Sequence, residues 1–261
     1  MLSKQKKILV KFLERISPSL LLKLRILMKT GYEPELELIP YLCEKDKISI
    51  DVGAAWGKYT FYMKKFSKKC WAFEPIPRNV NLLNRIFRKN VIIQPVALSD
   101  NDGTAKIRIP INSLGAASIE EENPLEGLNK INIVNVSKKR LDDYEIDTIG
   151  LMKIDVEGHE EAVLRGSRRL LIRDKPALII ESEERHKSNT IENTYNFLHE
   201  LGYEGFFFFN KNLRKIEEFD KKHHQNVQNL KDGNKTGLYV NNFIFLTTES
   251  IPKISKFLKS L

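Results

Sequence analysis

Ile149-Gly150-Leu151-Met152-Lys153-Ile154-Asp155-Val156-Glu157-Gly158-His159-Glu160 reads as a strand, a turn and the start of a helix. The apolar run over 149–154 is short and bounded, which suits a buried strand. Asp155 closes that run, Gly158 marks a turn, and an apolar helical pattern opens at Glu160. In an open α/β sheet, ligands sit outside the carboxyl ends of the strands. Asp155, Glu157 and His159 therefore crowd titratable groups at the edge where chemistry is done.

Outward from this stretch the same alternation repeats. The pattern predicts strands over 47–52, 70–73, 91–95 and 177–181, with helices over 57–66, 77–88, 160–170 and 190–201 between or after them. Strand–helix alternation marks a mostly parallel sheet with helices on both faces. Further strands are expected over 104–109 and 132–136, with a helical turn over 141–144. Residues 110–130, rich in Asn, Ser, Gly and Glu, form a long loop, either a lid or binding loop or a plain surface excursion. The chain closes with strand candidates 205–209 and 238–246 around a polar stretch, 210–237. Before the sheet, residues 4–29 read as helix, interrupted at Ser17-Pro18, where Pro18 suits a first helical position. Glu33-Pro34-Glu35 opens another helix, running to about Cys43. This gives an N-terminal helical extension (1–45), a catalytic domain (46–250) and a C-terminal tail (251–261).

Hydrophobic residues are 41% of the 261-residue chain and charged residues 30%, enough apolar content for a packed core and against disorder. The net charge of +9 points only weakly to an anionic partner, because the lysines are scattered among acids. Cys43 and Cys70 make no disulfide framework and lack metal-site spacing, so a cytoplasmic location is expected. No apolar run approaches the ~18 residues of a membrane-spanning helix. Residues 1–29 are basic and amphipathic without a signal-peptide pattern. They could contact an anionic membrane peripherally, or pack as a helical pair on the domain.

Ile50-Asp51-Val52-Gly53-Ala54-Ala55-Trp56-Gly57 leaves a strand and opens a helix. Its glycines permit a tight turn and close approach of a ligand. This is neither the dinucleotide G-x-G-x-x-G nor a P-loop. Glu74 ends the next strand, about 20 residues on, where an acid binds ribose hydroxyls. Asp51 disfavours a pyrophosphate and suits a cationic, amino-bearing ligand. S-adenosylmethionine fits, with an adenosine, an amino acid and a sulfonium but no phosphate; the bland alternative is a glycine turn with no ligand. Gln94 to Asp100, including Ala97 and Leu98, would supply apolar walls for the adenine.

With Asp51–Gly57, Phe73-Glu74-Pro75, Ala97-Leu98-Ser99-Asp100, Leu141-Asp142-Asp143 and Lys153–Glu160 followed by Val163-Leu164-Arg165-Gly166, the chain resembles the FkbM-type S-adenosylmethionine-dependent methyltransferases. The resemblance covers about 34–181, with a weaker trace at Asn242-Phe243. It implies the class I methyltransferase fold, a Rossmann-like, seven-stranded, mostly parallel sheet whose last strand is antiparallel. It also implies O-methyl transfer to sugars of glycans or to secondary metabolites. The cofactor shell would comprise Asp51, Gly53, Ala54, Gly57, Glu74, Pro75, Ala97, Leu98 and Asp155. The family often has Asn where this chain has Ala55, and Trp56 is expected to pack over the methionine end.

A sugar hydroxyl is a poor nucleophile until its proton is removed. Three readings of the opening stretch stand side by side. His159 is the base and Asp155 positions substrate or cofactor. Alternatively, some of Asp155, Glu157, Glu181 and His159 hold a divalent ion. In the third, His159 only caps its helix, with its ring bonded to a backbone carbonyl. Lys153 shares the face of Asp155 and is expected to pair with a strand-end acid, with or without a catalytic role. Glu157 and Glu181 are candidates for the acceptor or for a metal. Glu160 and Glu161 read as first-turn acids that suit the helix dipole. His186 reads as an acceptor contact or a solvated loop residue, and His199, His223 and His224 as surface. A nucleic-acid methyltransferase is the main alternative, disfavoured by the lack of an Asn-Pro-Pro-Tyr-type segment or an RNA-binding module. A non-catalytic, membrane-associated scaffold is the other.

Overall fold

A computed structural model of the chain describes residues 4–30, 32–111, 117–125, 130–210, 212–230 and 238–258. Two helices, α1 (Lys4–Ile16) and α2 (Pro18–Leu27), break at Ser17-Pro18 as expected. The next expected helix is instead a 3-10 turn, Pro34–Leu38, followed by a single turn, α3 (Ile39–Leu42). The alternating part then runs β1 (Ile48–Val52), α4 (Lys58–Phe66), β2 (Lys69–Phe73), α5 (Pro77–Ile86) and β3 (Val91–Gln94). After it come β4 (Ala97–Leu98), β5 (Gly103–Pro110), β6 (Ile131–Lys139), β7 (Ile149–Ile154), α6 (Glu160–Arg165), α7 (Arg168–Asp174) and β8 (Ala177–Glu181). The chain finishes with α8 (Thr190–Glu200), β9 (Tyr203–Phe209), β10 (Asn212–Lys215), α9 (Lys221–His224), β11 (Asn242–Thr247) and α10 (Ile251–Leu258). No helix among the described residues is long and apolar enough to cross a membrane.

The main sheet has the order β10-β9-β11-β8-β7-β1-β2-β3. Strands β3, β2, β1, β7 and β8 pair in parallel, and β11 runs antiparallel to both β8 and β9. That is the mixed α/β arrangement with an antiparallel last strand that the resemblance implies. An eighth strand, β10, hairpins onto β9 at the edge, with Asn212 opposite Phe209. Its Asn-Leu-Arg-Lys carries a single apolar residue, so it was hidden in the polar stretch. The added strands form a separate sheet, β4-β6-β5, in which β4 pairs parallel with β6.

The expected helix over 160–170 is two helices. Gly166 packs so closely on the loop after β4 that a Cβ there would lie 1.9 Å from the Ser99 carbonyl oxygen. Ser167 then bonds back to the Val163 carbonyl at 2.6 Å, and the axis restarts.

Alternation along the strands builds two cores. Ile48, Ile50, Val52, Met152, Ile154, Leu178 and Ile180 face one side of the sheet. Leu151, Ala177 and Ile179 face the other, against Leu38, Ile39, Leu42, Met63 and Phe257. Elements before residue 46 and after residue 250 thus share a core with the sheet. Asp51 pairs with Lys153, and Lys153 with Ile179, in register. Glu181 lies two residues beyond Ile179 on the same face. The polar ends of three neighbouring strands therefore emerge on the α3–α4 side.

Candidate active site at the strand ends

A cavity of about 390 Å³ opens at the carboxyl ends of β1, β2, β7 and β8. At one side, the chain turns from β1 into α4. Gly53 has φ +77°, and a Cβ there would fall 1.8 Å from the Asp155 carbonyl oxygen. Only glycine lets the two strand ends approach this closely. Gly57, at φ +85°, serves the turn differently: its missing Cβ makes room for Phe87, 2.6 Å away, and it does not line the cavity. Ala55 also sits in the left-handed region, at φ +47°. Its N–H donates to Glu74 Oε2 at 2.8 Å, while the Ile76 N–H donates to Glu74 Oε1 at 2.8 Å. The carboxylate at the end of β2 is thus clamped by two backbone donors. Burial nevertheless pushes its pKa up to about 7. Pro75, Ile76, Val96, Ala97 and Leu98 form an adjoining apolar wall.

Asp51 lines the cavity from within β1 and is almost fully buried. It accepts from the Thr60 N–H at 2.8 Å and from the Thr60 hydroxyl. Burial raises its pKa to about 6. The bonds to Thr60 tie the end of β1 to the first turn of α4.

Asp155, Glu157 and Glu181 meet at the opposite side, each offering an oxygen within 4.8 Å of the others. Lys153, with no solvent exposure, lies 3.9 Å from both Asp155 and Glu181. Its ammonium donates to Asn242 Oδ1 and to the Ile154 carbonyl, both at 3.1 Å. Burial alone would lower its pKa, but Asp155, Glu181, Glu33 and Asp51 outweigh burial and raise it. Burial also holds Asp155 above the usual carboxylate range, against the pull of Lys153. Glu157 and Glu181 are pushed further up by burial and by the Asp155 charge. A cation suits this cluster, and Lys153 already supplies one charge to it.

His159 reaches the cavity wall, but both ring nitrogens are engaged. Nδ1 meets Glu120 Oε1 at 2.5 Å, and Nε2 meets Ser99 Oγ at 3.0 Å. The residue occupies the N-cap position of α6 without a side-chain capping bond. Its ring bonds two side chains, so the expected backbone-carbonyl partner is corrected. The solvated-loop reading of His186 is also corrected: it is buried, 3.1 Å from Glu157 Oε2, and burial lowers its pKa to about 4. His224 is buried too, its ring packed among Phe207, Phe209 and Phe219. His199 and His223 are exposed as expected.

The described part of the loop after β5, residues 117–125, lies over the site. Ser118 bridges to Arg108 of β5, and Ala117 and Ile119 line the cavity. Ser118 Oγ and Asn123 Nδ2 both donate to the Glu157 carbonyl, at 2.7 and 3.0 Å. These bonds hold Glu157 at φ +53°, a strained value for a side-chain-bearing residue. Residues 112–116 and 126–129 of this loop lie outside the described residues.

Several site residues escaped the sequence reading. Glu33 lines the cavity and is bonded to Lys58, to the Tyr59 hydroxyl at 2.6 Å and to Asn242. Burial works against its ionisation, but Lys58 and Lys153 prevail and lower its pKa. Arg185 also lines the cavity. Glu33 stood in a helix-start pattern and Arg185 in a charged run, so only the placement of Lys58-Tyr59 directly after Gly57 gave a local signal.

Residues 51–204 match the family model described as the methyltransferase FkbM domain. A curated relative from Beauveria bassiana, Methyltransferase 1, is 28% identical over 145 residues, covering 46% of this chain and 58% of its own. The crystal structure of methyltransferase FkbM from Methylobacillus flagellatus is 18% identical with a TM-score of 0.49, covering 78% of this chain and 44% of that one. A SAM-dependent methyltransferase from Aquifex aeolicus is 18% identical with a TM-score of 0.40, over 88% of this chain and 97% of its own. The chain thus spans under two thirds of the length of the curated relative and of the FkbM structure.

Proposed function

Since the chain belongs to the FkbM methyltransferase domain family, we propose that it is an S-adenosylmethionine-dependent O-methyltransferase acting on a hydroxyl, of a glycan sugar or of a secondary metabolite. The observation that carries the reading is the charge of the cavity wall. Glu33, Asp51, Glu74, Asp155, Glu157 and Glu181 face it against Lys58, Lys153 and Arg185. Such a donor set suits a ligand that is cationic and lacks phosphate. Glu74 would hold the ribose hydroxyls, the turn at Gly53 and Ala54 would accommodate the amino-acid end, and Asp51 would face its ammonium. The wall of Pro75, Ala97 and Leu98 suits an adenine.

Bound S-adenosylmethionine supplies an electrophilic methyl group. The chain's own residues hold and deprotonate the acceptor. Alignment of a hydroxyl can account for roughly 7–11 kcal/mol of barrier lowering. Asp155, its pKa raised by burial, is the better placed proton acceptor, because its carboxylate lies in the cavity. Deprotonation by His159 Nε2 would require Ser99 to swing away. His159 instead ties Glu120 of the loop after β5 to Ser99 beyond β4. Glu157, Glu181 and Arg185 would bind acceptor hydroxyls. The spacing of Asp155, Glu157 and Glu181 also admits a divalent ion as a second reading, separated by activity before and after chelation. The acid-rich cavity argues against a polyphosphate acceptor such as nucleic acid.

Calorimetry with S-adenosylmethionine and its demethylated product tests the cofactor site. Wild type should bind both, and Glu74→Ala neither; a wild-type chain that binds neither would overturn the proposal. Asp155→Asn should spare binding and lower turnover by about 10²–10⁴-fold. His159→Ala should have a smaller effect.

A further inference from the structure

Residues 1–29 carry eight basic side chains against one acid, Glu14, and so supply most of the chain's +9. The helices they form are fixed to the domain along one side only. Pro18, Leu21 and Leu22 are buried, with Leu22 in a cluster with Ala54, Leu83 and Phe87. Arg78 pairs with Glu14 at 2.8 Å, and Arg85 donates to the Glu14 carbonyl at 3.0 Å.

The outer side is apolar and uncovered. Leu9, Phe12 and Ile16 fall at i, i+3 and i+7 on α1 and are 55–63% exposed. Leu20 and Leu27 continue the exposure along α2, up to 79% at Leu27, and Met28 extends it just past the helix end. Half of the chain's exposed large apolar side chains among the described residues lie in this short segment. Lys11, Arg15 and Lys23, all exposed, stand beside them. An amphipathic helix with exposed Phe and Leu among Lys and Arg lies in the interface of an anionic bilayer.

We propose that α1 and α2 form a docking surface for an anionic phospholipid membrane, with the apolar stripe in the interface and the basic side chains at the headgroups. Charge selects this occupant over a second copy of the chain, since two such surfaces face to face would bring like charges together. The inference stands apart from the proposed reaction. Because Arg25 lies over the Trp56 ring at 5.3 Å, docking would bring the cofactor turn near the membrane and favour acceptors presented there.

The test is flotation of the full chain with vesicles of phosphatidylcholine alone or mixed with phosphatidylglycerol. The chain should float with the anionic vesicles at least about tenfold more than with neutral ones, and less as salt rises. Lys11→Gln/Arg15→Gln/Lys23→Gln should weaken anionic binding about 100-fold, at the usual contribution of each basic residue near a charged surface. Phe12→Gln/Ile16→Gln should abolish it, while both variants keep the wild-type melting temperature. Absence of binding, or equal binding to both vesicles, overturns the proposal. So does a dimer in sedimentation that Phe12→Gln/Ile16→Gln dissolves while no vesicle binds.

Discussion

Glu74 is pulled two ways. Two backbone N–H groups hold its carboxylate, yet burial sets its pKa to about 7. A folded pKa above the usual value means that the contribution of Glu74 to stability is fully present below its ordinary pKa of 4.5 and is lost as pH rises through about 7. Ribose binding needs the ionised form, so cofactor affinity runs the other way. It should fall by up to about tenfold per pH unit below 7. Calorimetry from acid to neutral pH checks this, and a flat profile would remove Glu74 as the ribose ligand. Lys153 is the converse case, a buried cation whose neighbours are acids. Lys153→Met would leave Asp155 and Glu181 without their nearest counter-charge and cost about 3–5 kcal/mol at pH 7. The raised pKa values of those acids predict the sign of its pH dependence. They protonate early as pH falls, so the deficit in urea unfolding should shrink at pH 5. The sequence already showed Glu74, Asp155 and Glu181, because each terminates a short apolar run, and Lys153, because it interrupts one. Glu33 and Glu120 were not legible, since distant segments bring them to the site.

At the level of elements, strands β1, β2, β7 and β8 could be read from their apolar runs, and the departures have local causes. Helix 160–170 divides where Gly166 meets the Ser99 carbonyl, a tertiary contact that periodicity does not carry. The loop after β5 had only composition to speak for it. Its described part, 117–125, lies over the site and donates twice to the Glu157 carbonyl. Ser118→Ala/Asn123→Ala would leave that buried carbonyl short of partners, at a cost of about 1–3 kcal/mol. The loss should appear as faster amide exchange over 117–125 and a higher KM for the acceptor. Cofactor affinity should stay within about twofold, because the ribose clamp on Glu74 is untouched. Weaker cofactor binding with an unchanged acceptor KM would assign the loop to the other half of the cavity.

On the scale of the whole molecule, the sequence reading set residues 1–45 apart as an extension, while in the structure several of its described residues pack on the sheet and Glu33 reaches the cavity. Leu36, Leu38, Ile39 and Leu42 close the core beneath the α3–α4 side, and Glu33 joins the cavity wall. Leu22 packs with Ala54, and Arg25 with Trp56, so α2 backs the turn that follows β1. Removing residues 1–29 would therefore expose Ala54, Leu83 and Phe87 at once. Uncovering one buried Leu contact costs about 1.5–3 kcal/mol, and the loss falls on the segment that shapes the cofactor end of the cavity. The truncated chain should melt at a lower temperature and bind S-adenosylmethionine at least about tenfold more weakly, since 1.4 kcal/mol at the turn is already a factor of ten. Phe12→Gln/Ile16→Gln alters only the outer face of the same helices and should leave melting and cofactor affinity as in wild type. If truncation and surface substitution weakened cofactor binding equally, the outer face would be part of the domain's packing and not a surface held free for a partner.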